Sequence, residues 1–150
     1  MFTRSALLPE YRAFLASIDP NVYPTFNFGY PVSIEVGQGS LVHFFNRLQR
    51  GVHGRGWYKR NTDKPMIALG FWEHPDSNPH CHVVVAASDQ EWRWLLNHGK
   101  ECWLEQQKRG QLDFSKIESR EKVISYITKE ITKPDSQERM FVYKAPLFKA

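Results

Sequence analysis

Hydrophobic and polar positions alternate with a period of two in several stretches of the chain and with a helical period in others, which predicts a mixed α and β domain. Tyr23-Pro24-Thr25-Phe26-Asn27-Phe28-Gly29-Tyr30 reads as a half-buried strand, with Phe26, Phe28 and Tyr30 on one face and Thr25, Asn27 and Gly29 on the other. Ser40 is placed to cap a helix carrying Leu41, Val42, Phe44, Phe45 and Leu48 and ending near Gly51 or Gly54. Trp57-Tyr58-Lys59-Arg60 is expected to form a strand beside Met66-Ile67-Ala68-Leu69, across a turn at Asn61 to Pro65. Ser88 or Asp89 can open a helix with Trp92, Leu95, Cys102 and Trp103, kinked or split at Asn97-His98-Gly99. Ser119 can cap a final helix in which Val123, Ile124, Ile127 and Ile131 form the buried stripe, and Pro134 ends it. Two further segments carry less pattern: 8 to 20 suits a short helix, and 135 to 150 a last short strand or a tail.

Chemistry concentrates where two strands meet. Met66 to Glu73 and His80 to Ala86 are both rich in strand formers, and Pro75, Asp76, Ser77, Asn78 and Pro79 between them favour a turn, so the two should pair as a hairpin. Side chains alternate across a strand, so His80 and His82 project from one face while Cys81 points to the other. With a loop over 74 to 79, Glu73 stands opposite His80, at a Cβ separation of about 4.5–5.5 Å. Two imidazoles and a carboxylate are then candidate metal ligands, with coordination positions left for water or substrate. A slip in register would bring His74 or Asp76 into the place of Glu73. The plainer alternative keeps His80 and His82 as ordinary strand polars.

Charge adds a candidate partner. The chain has 150 residues, a net charge of +4 and two cysteines, with 41% hydrophobic residues. That describes one domain without a disulfide framework or a membrane segment, and a reducing cytoplasm suits it; no nucleotide-binding P-loop is visible, so no helicase domain is expected. Arg55, Lys59 and Arg60 lie beside Trp57 and Tyr58, a mixture of cations and aromatic rings suited to single-stranded nucleic acid. A solvated basic loop would look the same. On the last helix Tyr126, Lys129, Glu130 and Lys133 share a face, presenting a phenol beside two ammonium groups.

Taken in order, these features resemble the HUH endonucleases of the rolling-circle replication initiator class. His80-Cys81-His82 is similar to the family's motif of two histidines around a hydrophobe, with cysteine in the middle. Tyr126-Ile127-Thr128-Lys129 resembles its downstream Tyr-x-x-Lys, and Thr25-Phe26-Asn27 echoes its early-strand motif. The histidines precede the tyrosine, an order that argues against a conjugative relaxase. The resemblance implies an α+β fold, RRM-like or palm-like, with a central antiparallel sheet of about five strands and helices packed chiefly on one face. It also implies metal-dependent nicking and joining of single-stranded or hairpin DNA through a 5′-phosphotyrosine on Tyr126. Lys129 would assist at the phosphate, and Mn²⁺ or Mg²⁺ would be held by Glu73, His80 and His82. Thr25, Asn27, Arg55, Trp57, Lys59, Arg60 and Lys133 are the expected DNA contacts. A plasmid, phage or virus replicon in a host cytoplasm, with host helicase and polymerase as partners, is the implied setting. A second cleavage would need a homodimer or another nucleophile such as water. A single-tyrosine transposase, a non-cleaving nucleic-acid-binding module that contains a metal, and a water-using hydrolase are the alternatives.

Overall fold

The computed structural model describes residues 19–73 and 77–145. Five strands form one sheet: β1 (Val22–Asn27), β2 (Met66–Glu73), β3 (His80–Ala86), β4 (Gln111–Lys116) and β5 (Met140–Ala145). Their order across the sheet is β4-β1-β3-β2-β5, and every neighbouring pair is antiparallel. The α+β fold and its five-stranded antiparallel sheet agree with the sequence expectation. The helix expected over 8 to 20 falls mostly outside the described residues, as do His74, Asp76 and the last five residues.

The sheet divides the molecule into two unequal layers. On one face lie Phe26, Cys81, Val83, Val85, Trp72, Phe141 and Tyr143, covered by α1 (Ile34–His53), α2 (Asp89–Trp94) and α3 (Lys100–Gln106). Aromatic rings interlock across this core, with Phe26 meeting Phe44 and Trp103 edge to face at 5.0 Å each. On the other face Leu69, Phe71 and Val84 are buried with Ile127 of a single helix, α4 (Arg120–Ile131). Among the described helices the covering is therefore mainly on one side. Partly buried Val123 and Ile124 support Ile127; the Ile131 side chain is outside the described set.

Three local expectations need correction. The first long helix starts at Ile34, capped by Ser33, whose hydroxyl accepts from the Val36 amide at 3.2 Å; Ser40 lies inside it. Glycine weakens a helix, and Gly37 and Gly39 both lie within its first two turns. Gly37 is used for packing instead: a Cβ there would come within 2.3 Å of the Trp72 ring. Trp57–Lys59 is a turn of 3₁₀ helix, not a strand, because Trp57 packs against the core and Gly54 leaves the helix at φ +86°. The strand that flanks Met66 to Leu69 on the side away from β3 is β5. Finally, β1 ends at Asn27, whose side-chain oxygen accepts from the Gly29 amide at 2.8 Å, so Phe28 and Tyr30 lie beyond it.

The remaining elements follow their local signals. Ser88 and Glu91 form a reciprocal cap on α2, each receiving the other's amide hydrogen. The expected split near Asn97 appears as a π-helical stretch, Leu95–Gly99, before α3. Ser119 caps α4 as expected, accepting from the Lys122 amide. The short helix α5 (Ser136–Arg139) leads into β5. Among the described residues no helix is long and apolar enough to cross a membrane.

Candidate active site

The hairpin register is the one that the turn formers predict. Glu73 pairs with His80 and Phe71 with His82, while on the other side of β3 Asn27 pairs with His80 and Thr25 with His82. Glu73, His80, His82, Thr25 and Asn27 therefore occupy one face near one end of the three inner strands. Cys81 points the other way and is fully buried.

The side chains converge. His80 Nε2 and His82 Nε2 lie 3.2 and 3.3 Å from the same oxygen, Glu73 Oε2. Each ring is held from behind at its other nitrogen. His80 Nδ1 is 3.0 Å from the Asn78 carbonyl and His82 Nδ1 is 3.1 Å from the Thr25 hydroxyl. A carbonyl only accepts, so His80 carries its hydrogen on Nδ1 and turns the lone pair of Nε2 toward the carboxylate. Two lone pairs facing each other at this distance repel unless a cation, either a second proton or a metal ion, lies between them.

This donor set fits a metal. Ligand atoms about 2.1 Å from a common ion, with tetrahedral or octahedral angles between them, stand about 3.0–3.4 Å apart. The two separations from Glu73 match, and the candidate ligand atoms of Glu73, His80 and His82 all lie within 4.8 Å of one another. Burial would raise the Glu73 carboxyl, but the attraction of His82 when protonated, the hydrogen bond from Tyr126 and the proximity of His80 outweigh it and leave it below its usual value. Burial also lowers His82, although Glu73 opposes this. An ionised carboxylate and a neutral imidazole are the forms that a metal requires. The fixed Nδ1 partners match the outer support typical of ligating histidines.

Tyr126 of α4 completes the cluster. Its hydroxyl donates to Glu73 Oε1 at 3.1 Å, so one carboxylate serves the histidines through one oxygen and the phenol through the other. Burial, the neighbouring Tyr23 and the charges of Glu73 and Glu130 push its phenol well above the usual value. Tyr23 stacks on His82 with ring centroids 6.0 Å apart and meets Tyr126 edge to face at 6.4 Å.

Not every expected site residue joins this group. Lys129 is exposed one turn from Tyr126. Lys133 lies 2.6 Å from Glu130, so that ammonium is already paired. Asn27 belongs to the right face, but its side-chain oxygen caps the turn at Gly29. Arg55, Trp57, Lys59 and Arg60 are elsewhere. Trp57 packs into the helix-covered core, and Arg60 NH1 is 2.9 Å from His53 Nδ1.

Sequence reasoning missed two residues near the cluster and the burial of a third. Tyr23 was legible, since it precedes Thr25 by two positions on the same strand and must share its face. Arg139 was not, and Glu130, placed on the face of Tyr126, gave no sign of being buried. Glu130 is buried beneath α4, with Lys133 on one oxygen and Arg139 NH1 at 3.4 Å from the other. Arg139 NH1 also donates to the Trp72 carbonyl at 2.8 Å, beside Glu73. This charged group ties the helix that bears Tyr126 to the end of the strand that bears Glu73. Comparison with protein-family models, curated proteins and solved structures finds no match to this chain.

Proposed function

We propose that this chain is a metal-dependent enzyme that nicks and rejoins single-stranded DNA, with Tyr126 as the nucleophile. One observation carries the reading: the Tyr126 hydroxyl and both histidine Nε2 atoms converge on the two oxygens of Glu73. A nucleophile and an open set of metal ligands thereby share one carboxylate. The likeness to HUH replication initiators supports the same assignment through the order of its motifs, and extends it to initiation of rolling-circle replication or to transposition.

Glu73, His80 and His82 would hold Mn²⁺ or Mg²⁺. Such an ion, when bound, supplies positive charge that polarises a phosphate and offsets the charge building on it. The protein's own groups account for the remainder. Thr25 and the Asn78 carbonyl fix the two imidazoles, and Tyr23 confines His82 and Tyr126 from the side. Glu73 Oε1 orients the phenol and stands ready to receive its proton. As the Tyr126 oxygen bonds to phosphorus, the bond to the 3′ oxygen breaks, leaving a phosphotyrosine and a 3′-hydroxyl that takes a proton from solvent. The phosphodiester energy is retained in the new bond, so the reverse reaction rejoins ends without ATP. The metal-free protein disfavours the phenolate, and the reaction should accordingly depend on a divalent cation.

The test is a covalent adduct between the protein and a pool of single-stranded and hairpin oligonucleotides in the presence of Mn²⁺. Tyr126→Phe should abolish the adduct while retaining DNA binding. Cleavage surviving in Tyr126→Phe would replace this reading with hydrolysis by water. Metal binding without an adduct on any substrate would replace it with a binding module.

A further inference from the structure

We infer that the protein carries a second single-stranded nucleic-acid site, built on the turn after α1 and separate from the tyrosine and histidine cluster. Between Glu35 and Asp63 the chain holds Arg47, Arg50, Arg55, Lys59 and Arg60 and no carboxylate. Two of these cations are engaged within the fold. Arg47 pairs with Glu105 at 2.8 Å, and Arg60 contacts His53, whose Nε2 lies 3.1 Å from buried Glu91. Arg50, Arg55 and Lys59 are exposed, and none of them forms an ion pair with a described residue. Helix-dipole complementarity explains Arg50, in the last turn of α1, but not Arg55 or Lys59 beyond its end.

The turn is held rigid from the inside. Trp57 is anchored against the core, its amide donates to the Gly54 carbonyl at 3.2 Å, and the Lys59 amide donates to the Gly56 carbonyl at 2.9 Å. The chain of contacts from Glu91 through His53 to Arg60 pins the far side. Tyr58 consequently stands 52% exposed, with the Lys59 ammonium 5.6 Å from its ring centre. Gly54 and Gly56 have open space where side chains would be, so their backbone is open to a ligand. An exposed ring flanked by unpaired cations fits an unstacked base with its phosphates, whereas a duplex offers no free base face.

This surface is remote from Tyr126. Gln49, near the end of α1, touches Met66 Sδ at 3.5 Å, at the opposite end of β2 from Glu73. Along the eight residues of β2 that separation is about 23 Å, and the two sites also lie on opposite faces of the sheet. The turn can therefore hold a segment away from the nick, and it does so whether or not Tyr126 cleaves.

The test measures equilibrium binding of a labelled thymidine oligonucleotide to the full chain in EDTA, over a range of salt. An Arg50→Gln, Arg55→Gln and Lys59→Gln variant should bind on the order of tenfold more weakly, with a salt slope smaller by about 2, at roughly 0.7 for each phosphate that is no longer neutralised. Tyr58→Ala should weaken binding on the order of tenfold with little change in slope. Adduct formation on a short oligonucleotide with Mn²⁺, measured in parallel, should be unchanged in these variants, which separates this inference from the nicking reaction. Unchanged affinity and slope in the triple variant would overturn it. So would an effect confined to duplex DNA or to vesicles of anionic lipid.

Discussion

Replacing Arg139 by methionine should destabilise the fold more than any surface substitution, because of what it leaves behind. The Arg139 side chain is 11% exposed and faces Glu130, 3% exposed, while donating to the Trp72 carbonyl. Removing one partner of a buried pair costs about 3–5 kcal/mol, since the remaining charge stays out of water. Lys133 still holds the other oxygen of Glu130, which favours the lower end, about 3 kcal/mol. Loss of the bond to the Trp72 carbonyl adds about 1 kcal/mol. For a domain of this size each kcal/mol shifts the melting temperature by about 2–4 °C, so a total of about 4 kcal/mol lowers it by roughly 8–16 °C. Urea denaturation at constant slope is the direct assay. Lys133→Met, at a side chain 45% exposed, should cost under about 1 kcal/mol. Combining Arg139→Met with Glu130→Gln should recover much of the loss, because no buried charge then lacks a partner. If Arg139→Met lies within about 1 kcal/mol of the parent, or the double variant equals the sum of the singles, the buried pair does not join α4 to β2 as argued.

Two predictions concern the cluster itself. Thr25→Val keeps the shape of the side chain but removes the hydroxyl beside His82 Nδ1. It should weaken Mn²⁺ binding about 10–100-fold by calorimetry with little loss of stability, and an unchanged affinity would remove Thr25 from the site. The second is a pH dependence whose sign follows from His82, which burial lowers below its ordinary value. As pH falls below about 6.5 the unfolded chain takes up a proton that the folded site resists, so stability present above that value is lost in acid. A protonated imidazole cannot ligate, so stabilisation by Mn²⁺ in thermal melts should also shrink from pH 8 toward pH 5.5. His82→Ala should remove that stabilisation at both ends, and a stabilisation that grows in acid would contradict the assignment.

The parts of this structure legible in the sequence are those fixed by neighbours along the chain. Turn formers between two strands set the pairing of Glu73 with His80, and alternation then placed His82 beside them and Cys81 in the core. The serine caps at Ser88 and Ser119 were equally local. What eluded reading depends on distant partners. Gly37 looks like a helix breaker until Trp72 is seen occupying the space of its missing side chain. Leu112 and Phe114 alternate on β4, but six residues ending in exposed positions give a weak signal beside the aromatic strands. The role of Arg139 needs β5 to return beside β2, a pairing that no spacing announces.

The place of β3 at the centre of the sheet has a consequence for motion. His80 and His82 sit on a strand bonded on both sides, the kind of segment whose amides exchange with solvent only on global unfolding. Tyr126 rides on a helix held to the sheet by a small enclosed cluster at Leu69, Phe71, Val84 and Ile127 and by the buried pair of Glu130 with Arg139. A helix docked in this way can lift as a unit while the hairpin stays intact. Amide exchange should therefore separate Tyr126 from the histidines, with α4 opening early and β3 last. Under the proposed reaction, in which the covalent product must leave Tyr126 before another turnover, such a division would let Tyr126 move without dismantling the cluster of Glu73, His80 and His82.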